Sequence, residues 1–143
     1  MRRRRARFLS PSFAQHHAER TSRLIPELKK RGVRVLPGGD YGFPFNPNGR
    51  NARDLEHFVN LYGYTPSEAL VAATKLGGEL MGLAHEVGMV KPGYLADLLL
   101  IDGDPLADIT VLQDKARILA VMKDGEFHRA PELRNTRSTR WAA

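Results

Sequence analysis

The sequence predicts an α/β unit followed by an all-β portion, with neither complete. Three observations carry this. Helical periodicity flanks one short run of β-formers between Phe13 and Leu80. After Gly88 that spacing gives way to short β-rich runs separated by turn residues. A single buried strand cannot make a sheet, and two or three strands expose edges that need partners.

The first element is a helix over Phe13–Arg31. Ala14, Ala18, Ile25 and Leu28 fall at steps of four, seven and three. Lys29, Lys30 and Arg31 fill its last turn and Gly32 follows, a stop signal for a helix. Pro26 is expected to kink or divide it. Val33-Arg34-Val35-Leu36 reads as a short strand, and Gly38 to Asn48 as a loop rich in Gly, Pro and Asn. Asn51 is placed to cap the next helix, with Asp54 at its third position. Leu55, Phe58, Val59 and Tyr62 make its apolar stripe and Gly63 ends it. Thr65-Pro66-Ser67-Glu68 is a capping box with proline at the first helical position. Ala69, Ala73, Leu76 and Leu80 are expected to line one face behind it. Gly77-Gly78 weakens that helix or admits another backbone.

From Met89 the pattern predicts a strand, a Pro92-Gly93 turn, a second strand at Ala96–Ile101 and a tight Asp102-Gly103-Asp104-Pro105 loop. Ile118 to Met122 is a third strand. Lys123-Asp124-Gly125-Glu126 is a hairpin turn of the Asp-Gly type, with Phe127 opening the return strand. No internal repeat is present.

The 143 residues suffice for one domain with a core. There is no cysteine, which excludes disulfides, thiolate metal sites and a cysteine nucleophile, and fits a cytoplasmic protein. No apolar run is long enough to span a membrane. The net charge of +6 suggests a nucleic-acid binder, but its distribution argues otherwise. Residues 1–34 carry eleven Lys/Arg against two acids, residues 129–143 four against one, and residues 35–128 seven against thirteen. The basicity lies at the ends, so a compact basic face is not supported. The opening Met1-Arg2-Arg3-Arg4-Arg5 lacks the apolar stretch of a secretory signal. Its composition fits a mitochondrial presequence, and the preferred reading is a solvated tail.

Four blocks now stand in order: G-V-R-V-L-P-G-G-D-Y-G, T-P-S-E-A-L-V-A-A-T-K-L-G-G-E-L-M-G-L, G-M-V-K-P-G-Y-L-A-D-L-L-L-I-D-G-D-P-L and V-M-K-D-G-E-F. Together they resemble the C-terminal part of the amidohydrolase superfamily, in its imidazolonepropionase-like and prolidase-like branch, over about Ala14 to His128. The resemblance implies a (β/α)8 barrel holding one or two divalent metals, usually zinc, and a small β-sandwich built from both chain ends. On that template Val33–Leu36 is the last barrel strand, the helices of 51–80 follow it, and residues from Met89 belong to the sandwich. The organisation implied is a basic disordered segment at 1–12, the end of the barrel at 13–88, part of the sandwich at 89–129 and a polar tail at 130–143.

The resemblance also implies a role for Asp40. The aspartate after the eighth strand ligates metal and takes the proton from the attacking water. A carboxylate can do both, and catalytic groups in such barrels stand at the C-terminal ends of strands. Without the resemblance, Gly39-Asp40 would be read as a plain turn.

The family's other ligands, an H-x-H motif, often a carboxylated lysine and two further histidines, have no counterpart here. His16, His17, His57, His85 and His128 are read as surface or packing residues. A catalytic zinc generally needs about three protein ligands, so this chain alone is expected to hold none. Either the reading frame is truncated or another polypeptide supplies the rest. Asp97, Asp102 and Asp104 are read as structural, since an EF-hand loop needs a later bidentate Glu. Tyr41, Phe43 and Phe45 either wall a substrate pocket or pack on the barrel rim. Arg50 or Asn51 is placed to touch substrate. Ser10 and Ser67 lack a nucleophile elbow.

The function expected is the C-terminal portion of a metal-dependent hydrolase of carbon–nitrogen bonds, inactive without the missing barrel. Its substrate in the complete enzyme would be a small-molecule amide. Its partner would be a complementing N-terminal chain or a second copy, with no membrane and no nucleic acid. The alternative is a non-catalytic remnant binding a protein or nucleic acid through its basic ends.

Overall fold

The structure, a computed structural model, describes residues 11–44 and 46–132. Phe45, Ser10 and most of the expected tail segments 1–12 and 130–143, namely residues 1–10 and 133–143, lie outside the described residues.

Helix α1 spans Pro11–Lys30 and is not divided at Pro26. It ends where expected, at Lys29 and Lys30, with Gly32 at φ +78 beyond. Ile25 and Leu28 are half-buried, whereas Ala18 is exposed. Helix α2 spans Arg53–Tyr62 and stops at Gly63, whose positive φ turns the chain so that the Tyr64 N–H reaches the Phe58 carbonyl at 3.1 Å. Asn51 does not cap it. The N-cap is Ala52, without a side-chain bond, and the Asn51 backbone carbonyl receives the Asp54 N–H instead.

Helix α3, Pro66–Ala73, begins with the predicted capping box. The Thr65 hydroxyl accepts from the Glu68 N–H at 3.2 Å, and the Glu68 carboxylate accepts from the Thr65 N–H at 2.8 Å. The continuous apolar face expected behind it is not formed. At Thr74 (φ −109, ψ −78) the helix is interrupted and α4, Lys75–Leu80, follows, although the Thr74 carbonyl still accepts from the Gly78 N–H at 2.9 Å. Ala69 and Ala72 are therefore the buried pair, while Ala73 is exposed and Leu80 is 75% exposed. The break lies against the backbone at Gly88. A Cβ at Gly88 would lie 2.5 Å from the Thr74 carbonyl oxygen, and one at Gly78 2.9 Å from that of Val87. The backbone approach anticipated at Gly77-Gly78 occurs at Gly78.

The core is small. Leu55, Phe58, Ala69, Ala72 and Ile109 are buried together, with Val35, Val59, Tyr62, Tyr64 and Leu112 packed around them. Tyr62 meets Phe58 edge-on at 5.6 Å, and Tyr64 lies 4.8 Å from it. Ile109 comes from a 3-10 helix, Ile109–Gln113, which the sequence pattern did not reveal. The Asp108 carboxylate starts that turn by accepting from the Thr110 N–H.

Three strands form one antiparallel sheet in the order β1 (Leu98–Ile101), β2 (Ile118–Lys123), β3 (Glu126–Arg129). The turn between β2 and β3 places Asp124 at φ +51 and Gly125 at φ +79, the geometry Asp-Gly favours. The strand expected at Met89 is absent, and the next is shorter than Ala96–Ile101. Val33–Leu36 has no ladder partner among the described residues and is not a strand. A β-former run becomes a strand only beside another. The described residues thus show part of an α/β arrangement and a three-stranded sheet, without a closed barrel or a two-sheet sandwich. No helix among them is long and apolar enough to cross a membrane.

Candidate functional site

The loop that follows Val33–Leu36 is built by its own polar contacts. Pro37 ends the β-former run, and Gly38 and Gly39 lead to Asp40. The Asp40 carbonyl accepts from Asn46 Nδ2 at 2.9 Å. The Asn46 carbonyl accepts from the Gly42 N–H at 2.9 Å, and the Asn46 N–H donates to the Phe43 carbonyl at 3.0 Å. Asn46 therefore closes a tight loop, with Gly42 at φ +107 supplying a backbone angle that other residues avoid. The Asp40 side chain is left exposed at its start.

Tyr41 fixes the other side of the turn. Its ring lies so close to Gly39 that a Cβ there would meet Tyr41 Cε2 at 2.7 Å. Its hydroxyl donates to the Asn51 carbonyl at 3.5 Å, with the Asp54 carboxylate beside it. Burial of the ring, then the neighbouring Asp54 carboxylate, push the phenol up to about 12. A cavity of about 320 Å³ opens beneath, lined by Pro37, Gly38, Gly39, Tyr41, Asn51 and Asp54. A second, of about 300 Å³, reaches from Gly39 to Val35, His57 and Phe58. Asp40 lines neither cavity.

The other candidates are dispersed. Phe43 is 47% exposed, and Arg50 and Asn51 are exposed at the end of the loop. His16 and His17 stand on α1, His57 is half-buried on α2, and His85 and His128 are exposed. Among the described residues, no group of three or more His, Cys, Asp or Glu could hold a metal ion. Asp40 is one donor without companions, so these residues do not by themselves fit a catalytic metal. Asp97, Asp102 and Asp104 do structural work in part. The Asp97 carboxylate accepts from the Asp124 N–H at 2.7 Å, and the Asp104 carboxylate from the Leu106 N–H.

Sequence reasoning missed Asn46 as the residue that closes the loop. It also missed that Asn46 Oδ1 and Arg53 Nε are buried without a hydrogen-bond partner among the described residues. Nothing in the spacing marks such atoms, because both depend on how the loop folds back.

The profile of the amidohydrolase family matches residues 2–127. Ochratoxinase from Aspergillus niger is 34% identical over 105 residues, covering 73% of this chain and 21% of that protein. Imidazolonepropionase from Rubrobacter xylanophilus is 36% identical over 85 residues, covering 57% of this chain and 20% of the relative. The crystal structure of the Aspergillus niger ochratoxinase superposes with a TM-score of 0.71 at 29% identity, over 85% of this chain and 27% of that one. A Xaa-Pro dipeptidase with methionine bound in its active site gives 0.68 at 28% identity, over 76% and 25%. The chain spans about a fifth of the length of the curated relatives it matches.

Proposed function

The chain belongs to the amidohydrolase family, and from that premise we propose that it is the C-terminal portion of a metal-dependent hydrolase acting on carbon–nitrogen bonds. The division follows the pattern: residues 13–88 as the end of a barrel and 89–129 as part of a sandwich. The relatives' names point to an amide bond as the target, in a small cyclic or linear molecule or a dipeptide. A cytoplasmic location belongs to the same reading and is supported by the lack of cysteine.

The observation that carries the proposal is the Asp40 turn. Within a family match that covers most of the chain, one exposed carboxylate stands where a run of β-formers ends. Asn46 closes the loop behind it and Tyr41 is packed against Gly39. In the complete enzyme the Asp40 carboxylate would accept a proton from the attacking water, and would be one donor to a divalent metal such as zinc. The remaining donors would come from a barrel-bearing polypeptide, or from a second copy. The described residues provide no set that could hold the ion, so no further step is assigned to this chain.

The test is reconstitution. The chain is co-expressed with the N-terminal barrel portion of an amidohydrolase, supplied with zinc, and assayed for amide hydrolysis. Activity is expected to depend on the added barrel and on metal. Asp40→Ala and Asp40→Asn are expected to lower kcat by about 100-fold or more, the scale of losing a positioned general base. Full activity in Asp40→Ala would remove Asp40 from the site. Binding of duplex DNA that is lost in salt and on deleting residues 2–7, without hydrolysis, would favour a nucleic-acid role instead.

A further inference from the structure

The two outer strands of the sheet differ in kind. β3 reads Glu126-Phe127-His128-Arg129, so three of its four side chains are polar, as on edges that stay in water. β1 reads Leu98-Leu99-Leu100-Ile101, with Leu99 58% and Leu100 51% exposed. It pairs with β2 on one side and with no strand on the other among the described residues. A groove of about 210 Å³ lined by Val90, Lys91, Pro92, Tyr94, Leu95 and Leu98 continues from its start, with Val90 89% exposed and the Lys91 ammonium held over the Tyr94 ring at 5.4 Å. An apolar edge of this kind recruits a strand.

The flanks of β1 decide which strand fits. Asp97 precedes it, and Asp102 and Asp104 follow; all three are exposed. The Asp97 carboxylate accepts the Asp124 N–H at 2.7 Å. A second copy of β1 is a poor partner. Antiparallel pairing centred between Leu99 and Leu100 sets Asp97 of each copy opposite Asp102 of the other, at both ends. Like charges directly opposite are destabilising. Sliding the register by one residue sets Asp97 against Ile101, or Asp102 against Leu98, and buries a carboxylate among apolar side chains. We propose that β1 is a docking edge for an extended segment of a partner polypeptide, apolar over about four residues and carrying Lys or Arg at both ends. Naming the barrel-bearing polypeptide as its source rests on the proposed function; the edge and its charge preference do not.

The experiment uses the full 143-residue chain, labelled with 15N, and three synthetic hexapeptides. All are built on the same four-residue apolar centre of Val and Ile. One carries Lys at both ends, one Glu at both ends, and one Lys ends with a central Pro. The Lys-ended peptide is expected to slow amide exchange at Leu98–Ile101 about tenfold and to leave Glu126–Arg129 unchanged. The Glu-ended peptide is expected to bind about tenfold or more weakly, and the Pro peptide not at all. Asp102→Asn should weaken the Lys-ended peptide, and added salt should do the same. Leu99→Lys, at an exposed position, should abolish protection. Equal binding of both charged peptides, protection at β3, or a concentration-dependent dimer that protects β1 without peptide would each overturn the proposal. None of these readings needs metal or activity. A failed reconstitution with a working edge, or the reverse, therefore separates the two proposals.

Discussion

Tyr41 and Gly88 show what single residues contribute. The Tyr41 phenol is pushed up to about 12, first by burial and then by Asp54. An acid that is weaker when folded than when unfolded loses its proton first in the unfolded chain. Its contribution to stability is therefore present below about pH 10 and lost as pH rises towards 12. Ultraviolet titration should show one of the four tyrosines ionising late. Asp54→Asn should bring that step only part of the way back, because burial remains. Four tyrosines titrating together would mean that the ring does not pack on Gly39. Gly88 is a sharper test of packing. At φ +90, with Thr74 backbone where its Cβ would go, Gly88→Ala is expected to cost about 2–4 kcal/mol. Gly77 has nothing within 4 Å, so Gly77→Ala should be neutral or stabilise by up to about 1 kcal/mol. Urea unfolding of the two variants reads both. From the sequence the two glycines could not be ranked, since their difference lies in which backbone folds back on them.

Among the elements, α3 was the most legible because its start is encoded within four residues, Thr65 to Glu68. The same contacts set its pH response. The Lys29 ammonium at 2.7 Å, followed by the Thr65 N–H, pulls Glu68 down to about 2. A depressed carboxylate gives stability that is present above its ordinary value of 4.5 and lost as pH falls towards 2. Glu68 is nearly half exposed, so the ion pair is screened and the cap carries most of the effect. Glu68→Gln is expected to lower stability by about 1 kcal/mol at neutral pH, with the gap to wild type closing below about pH 3. A constant gap in urea midpoints across that range would mean that the carboxylate charge is not involved. The hairpin at Asp124-Gly125 was legible for the same local reason. What was not legible is non-local. The 3-10 helix that delivers Ile109 to the core is set by packing against α2, not by periodicity. The break at Thr74 lies against the backbone at Gly88, which is distant in sequence. Val33–Leu36 has β-forming side chains and no neighbour to ladder with, so composition alone suggested a strand.

For the whole molecule the informative quantity is how much apolar surface stays outside. Among the described residues six hydrophobic side chains are buried, while Leu80, Met81, Val90, Leu99, Leu100, Leu106 and Phe127 are each more than half exposed. An ordinary domain scatters exposed apolar residues singly. Here several gather on β1 and the groove beside it, as they would on a surface meant to be covered. The family resemblance puts Asp40 forward as a candidate, but a metal centre needs donors that converge in space, and the five histidines are spread over α1, α2, β3 and the segment at His85. This yields a prediction about metal. After dialysis against zinc and removal of excess, the purified chain is expected to retain well under one zinc per polypeptide by elemental analysis. Asp40→Ala should not change that figure, because a single exposed carboxylate binds zinc too weakly to survive dialysis. Near-UV circular dichroism run beside it should show signal from the Phe58, Tyr62 and Tyr64 cluster. One zinc per folded chain, lost together with that aromatic signal on chelation, would mean that the histidines build a site across copies. In that case the chain would be a metal protein in its own right, and the need for a barrel-bearing partner would fall.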